Sequence, residues 1–274
     1  MFALPYSERS ELARECIPSN PASSMNVVNL AHLPTNILAL VFAVVLIAGF
    51  VRGYLGFGFS SILLLGLLPV IPATQLVPFS VALEILASSS QAPRILPDVN
   101  RRHLGVLLVA SVVGVPGGVY LLSVVPEDWL RLGVYGVIFL LTSAVLVLKP
   151  RVLGLTTPSL LIAGLVAGGV NGATALSGLV LALFFASSSV PSHSMRATII
   201  AYLFFTDVIT AGFLLGADHL DITTVFRVVF AAPFLLFGVW LGTRQFLKTP
   251  SEVFKTAVRW LLLGFCDLGI VQLL

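Results

Sequence analysis

The chain has 274 residues, of which 58% are hydrophobic and only 10% charged, at a mean hydropathy of +1.05. Ordinary soluble domains carry about 25% charged residues, so a water-covered surface is excluded and lipid must solvate the remainder. The dispersed net charge of +3 gives no basis for nucleic-acid binding, and two distant cysteines, Cys16 and Cys266, give none for a disulfide or thiol–metal framework.

Residues 1–34 form a polar leader, mixed in charge and rich in proline and serine towards its middle. They lack the basic start and apolar core of a signal peptide and read as a disordered tail. Met25 would serve as a start, so whether residues 1–24 occur in the native protein is a question for mass spectrometry. Apolar segments follow at 35–52, 57–71, 75–93, 104–125, 131–148, 158–170, 174–189, 197–216, 223–243 and 256–274. A helix needs about 20 apolar residues to cross a bilayer core. The segments 75–93, 104–125, 131–148, 197–216, 223–243 and 256–274 reach that length. The pairs 35–52/57–71 and 158–170/174–189 are shorter and interrupted by glycine or asparagine, and each reads as a helical hairpin that enters and leaves on one side.

Loop charges set the expected orientation. Basic residues collect at Arg94, Arg101, Arg102, Lys149, Arg151, Arg196, Arg244, Lys248 and Lys255, and acidic ones at Glu127, Asp128, Asp218 and Asp221. The positive-inside rule puts the first set in the cytoplasm and both termini outside. The alternation holds only if 158–189 makes an even number of crossings, as a hairpin does.

The chain also repeats itself. IAGFVRGYLGFG (47–58) is similar to IAGLVAGGVNGA (162–173), and PGGVYLLSVVPEDWLR (116–131) matches residues 237–255 in layout. This divides the membrane part into a first repeat, 35–149, a cytoplasmic linker, 150–157, and a second repeat, 158–274. Each repeat is a broken-helix hairpin plus three transmembrane helices, so the second lies inverted in the membrane. The expected fold class is therefore an all-α polytopic membrane protein of two inverted-topology repeats. Glycine-broken helices at matching positions of inverted halves point to a transporter binding site.

The stretches GYLGFGFSSILLLGLLP and GVPGGVYLLSVVPEDWLRLGVYGV, with the basic loop between them and the second glycine-rich copy, resemble the sulfite exporter TauE/SafE family, also known as the toluenesulfonate uptake permease family. The resemblance covers residues 35–274. It implies a permease of the bacterial cytoplasmic membrane that carries small organic anions, organosulfonates such as sulfoacetate first among them. Sulfite or inorganic-anion export, uncoupled facilitation and a non-transporting scaffold stay open beside it. Where this chain has GFGFSS (56–61) the family pattern carries a denser glycine run, so Phe57 and Phe59 make this crossing bulkier.

Arg52 adjoins the first break. A charge at the bilayer centre needs a partner or a wet cavity, and a guanidinium fork suits sulfonate or carboxylate oxygens. Gly53, Gly56 and Gly58 let backbone N–H groups approach an anion, the N-terminus of the following helix adds a favourable dipole end, and Phe57, Phe59 and Ser60 shape the pocket. The second copy offers Asn171, Gly172 and Thr174, with Ser177 read as helix packing. Carboxylates within apolar segments are Glu84, Asp207 and Asp267. Glu84 and Asp207 are candidates for proton coupling, Gln91 is aligned near the place of Asp207, and Asp267 reads as structural. No spacing suggests a metal site, a cofactor or a nucleophile with its base, so no enzymatic activity is expected. The GYLGFG glycines lack the βαβ context of a dinucleotide fingerprint. The expected partners are the anion and membrane lipid, with homo-oligomerisation left open.

Overall fold

The computed structural model describes residues 35–147, 155–186, 190–217, 219 and 222–249. The leader 1–34, most of the linker, Asp218, Asp221 and the last apolar segment with Cys266 and Asp267 lie outside these residues. The described residues form α-helices and no strand: α1 (Thr35–Leu55), α2 (Phe59–Leu67), α3 (Ala73–Ile95), α4 (Arg101–Val124), α5 (Glu127–Val147), α6 (Thr157–Thr174), α7 (Ser177–Ala186), α8 (Ser192–Gly216) and α9 (Ile222–Phe246). The windows Leu38–Leu55, Arg101–Val124, Ser192–Gly216 and Thr223–Phe246 are long and apolar enough to cross a membrane. Helix α3 has 23 residues, but Glu84, Gln91 and its serines lower its hydropathy.

The hairpin arms are unequal, which hydropathy alone does not show. Helix α1 has 21 residues against nine in α2, and α6 has 18 against ten in α7. Gly49 and Gly53 do not end α1; it runs on to Leu55 and stops where Gly56 (φ 86°) and Gly58 (φ 89°) take the left-handed backbone that glycine adopts without strain. Likewise α6 continues through Asn171 and stops at Ala175, a non-glycine residue held at φ 56°. Asn171 thus lies in the last helical turn before the break.

The helical glycines serve close packing. Helix α1 packs along α9 and α6 along α4, with glycines on both members of each pair. A Cβ on Gly53 would lie 2.3 Å from the Val239 carbonyl oxygen, and one on Gly172 would lie 2.3 Å from that of Val115. Small residues that let backbones approach are the usual means of helix association in lipid, where apolar burial gives no net drive. Helices α3 and α8 pack against each other and contact both of these pairs.

Polarity runs opposite to that of a soluble bundle. The outer faces of α4 and α9 expose Val109, Val113, Tyr120, Phe226, Val229 and Phe230, while Arg52, Glu84, Asn171 and Asp207 are buried. With apolar side chains outside and ionisable ones inside, the chain is a multi-pass membrane protein.

Candidate substrate site

The two breaks meet: the space beside Gly178, at the start of α7, is filled by Phe57 of the first break. Around them α3 and α8 contribute their polar residues. Glu84, Ser88 and Gln91 lie at helical spacing on one face of α3, and Asp207 and Thr210 at similar spacing on α8.

Arg52 is 0% exposed. Its Nη1 donates to the Gly56 carbonyl, closing the end of its own helix, and its Nη2 donates to Ser88 Oγ at 2.7 Å. Among the described residues its Nε has no partner. Glu84 and Asp207 are the carboxylates whose charge it feels.

Glu84 takes the place that sequence reasoning gave to a substrate anion. Its Oε1 accepts from Ser60 Oγ and, at 3.3 Å, from the Ser60 backbone N–H in the first turn of α2. Ser80 Oγ donates to Ser60 Oγ at 2.9 Å. A resident carboxylate therefore complements the positive end of this helix.

In the second hairpin Asn171 Nδ2 donates to Asp207 Oδ1 and to Thr210 Oγ1, both at 3.0 Å, and Asn171 Oδ1 accepts from Ser177 Oγ at 2.6 Å. Asn171 thus ties α6, α7 and α8 together across the break. Asp207 and Glu84 bear on each other electrostatically, and among the described residues the remaining oxygen of each, Oδ2 and Oε2, receives no donor.

A common interval in sequence relates these contacts: Arg52 to Asn171, Gly56 to Ala175, Pro72 to Pro191, and Ser88 to Asp207. Arg52 binds Ser88 as Asn171 binds Asp207. Pro72 and Pro191 each stand at the N-cap of the next long helix. By this interval Asp207 corresponds to Ser88, and Gln91 to Thr210.

Other expected site residues have local duties. Gly53 and Gly172 make backbone contacts with α9 and α4. Thr174 Oγ1 donates back to the Val170 carbonyl at 2.8 Å. Phe57 and Phe59 are fully buried in the hydrophobic core. Gln91 is 3% exposed and neither end of its amide has a partner among the described residues. Ser88, Ser80 and Thr210 were missed from sequence, although Ser88 lies one turn from Glu84 and Thr210 one turn from Asp207.

Broken helices meeting at buried Arg52, Glu84 and Asp207, inside an apolar bundle, define the class: an integral membrane protein with a polar core. The family model of the sulfite exporter TauE/SafE family matches residues 41–266, and the chain belongs to that family of membrane transporters. No curated protein and no solved structure matches the chain.

Proposed function

We propose that this protein is a secondary carrier for small organic anions, organosulfonates such as sulfoacetate in particular, in a bacterial cytoplasmic membrane with both termini outside. Arg52 carries this reading: a fully buried guanidinium at a helix break whose Nε–H is unused among the described residues. Such a charge costs several kcal/mol to desolvate unless an anion or a resident carboxylate compensates it. Glu84 and Asp207 supply that compensation while the site is empty. Both are buried carboxylates within an apolar bundle, and in this reading they form the coupling element. The anion displaces their influence on Arg52 and binds with a proton on the pair. Asn171, Gly56, Gly58 and Ser60 hold the two breaks in register, and Phe57 and Phe59 wall the site. The matching intervals support an internal repeat, and inversion follows from an odd number of crossings per repeat.

Thermal unfolding of the purified protein, titrated with small sulfonates, sulfite and dicarboxylates, tests this in the wild type and in Arg52→Ala and Arg52→Gln. Loss of every ligand response in both variants is expected. An unchanged response overturns the anion site. Uptake into liposomes with and without a pH gradient tests coupling, and equal rates would remove the proton from the mechanism.

A further inference from the structure

A second guanidinium stands across the α1 break from Arg52. Arg196, in the second turn of α8, is 6% exposed. Its Nη2 donates to the Gly53 carbonyl at 2.5 Å, its guanidinium carbon lies 4.3 Å from the centre of the Phe246 ring, and its Nε has no partner among the described residues. Arg196 Cγ lies 2.8 Å from where a Cβ on Gly56 would fall, and Arg52 bonds the carbonyl of that same glycine. Gly56 is thus the spacer between two arginines. Among the described residues, the charge that bears on Arg196 is that of Arg52, a like charge.

Closing the end of α1 does not require this arrangement. Thr243 Oγ1 donates to the same Gly53 carbonyl at 3.3 Å, a neutral donor supplied by the helix that packs there. Burying a guanidinium costs several kcal/mol, and a second cation nearby adds repulsion. The partial negative charge at the end of α1, about half an elementary charge, offsets only part of that. Two desolvated guanidiniums, each with an unused Nε–H, are the complement of an oxyanion.

We infer that Arg196 is a second anion-binding residue, which with Arg52 grips one small oxyanion across Gly56. This rests on the anion-carrier reading and deepens it. A sulfonate or sulfite head has three oxygens, enough to serve both planar forks, and the contact with the Phe246 ring holds the Arg196 fork in place.

The test is anion-dependent thermal stabilisation of the purified full chain, titrated with methanesulfonate, sulfoacetate, sulfite, sulfate and chloride. Arg196→Gln weakens every stabilising oxyanion by about tenfold or more, the effect of losing one charge-assisted hydrogen bond. Arg196→Lys keeps a point charge without the fork; it weakens the oxyanions about threefold and leaves chloride unchanged. Thr243→Val removes the other donor to Gly53 and changes affinity by less than about twofold. Arg196→Gln titrating like the wild type overturns the inference, as does Thr243→Val weakening binding as much as Arg196→Gln. If Arg196→Gln does not fold, the lysine variant decides, and wild-type oxyanion affinity there overturns the inference. Sensitivity to Arg52→Ala with indifference to Arg196→Gln removes Arg196 and leaves the carrier reading standing. Stabilisation by sulfite or sulfate but by neither sulfonate ends the sulfonate reading, while the Arg196 comparison proceeds on sulfite. A wild type stabilised by none of the five overturns both.

Discussion

Asp207→Asn separates a carboxyl that holds a proton from one that serves as a permanent anion. In the wild type Asp207 Oδ1 accepts from Asn171, Oδ2 has no donor among the described residues, and the charge of Glu84 bears on the carboxyl. An asparagine can keep its Oδ1 on Asn171 and turn Nδ2 towards Glu84, reproducing the protonated pair with a proton that cannot leave. A hydrogen bond to a charged partner contributes about 1.5–3 kcal/mol, part of which the shared proton already supplies, so a net gain of about 1–2 kcal/mol is expected. For a domain of this size that raises the melting temperature by about 2–8 °C. Asp207→Ala instead strands Glu84 and one donor of Asn171, and destabilises by about 1–3 kcal/mol. Thermal unfolding of the three proteins provides the comparison, and liposome uptake under a pH gradient provides the functional half. Asp207→Asn should bind anion but lose its response to the gradient. If it is destabilised as much as Asp207→Ala, Asp207 is needed as an ion, and the shared-proton reasoning fails.

Two further predictions concern the hairpins. Ala175→Gly relieves a left-handed backbone that costs alanine about 1–2 kcal/mol, and should stabilise the protein by about 0.5–1 kcal/mol after the added chain entropy of glycine, measured by thermal unfolding. Gly172→Ala forces a methyl onto the Val115 carbonyl and should cost about 1–3 kcal/mol, whereas Gly105→Ala, with open space around its Cβ position, should be neutral or slightly stabilising; equal effects would contradict the packing role.

Much of the membrane architecture was legible because composition and apolar runs register directly in the sequence. The limits of the hairpin arms were not. A glycine that turns the chain, such as Gly56, and one that admits a neighbouring helix, such as Gly53, are the same letter three residues apart. Only the partner helix α9, nearly two hundred residues away, tells them apart. Of the polar core, Arg52, Glu84, Asn171 and Asp207 stood out as charged or amide side chains in apolar surroundings. Ser88 and Thr210 did not, since hydroxyls are common in membrane helices and their roles depend on what faces them. Arg196 was assigned to a loop because the apolar run begins after it. The helix begins earlier, at Ser192, and that one turn carries the arginine into the interior.

The glycine contacts have a mechanical consequence. The long arm of each hairpin is clasped to a helix from the other half of the chain, α1 to α9 and α6 to α4, at distances that leave no room for a single methyl. The closely packed units are therefore these crossed pairs, not the two consecutive halves of the polypeptide. Severing the chain between α5 and α6 would leave each fragment without the partner of its own first helix. The two fragments should assemble only when made together, like the strands of a knot tied from both ends.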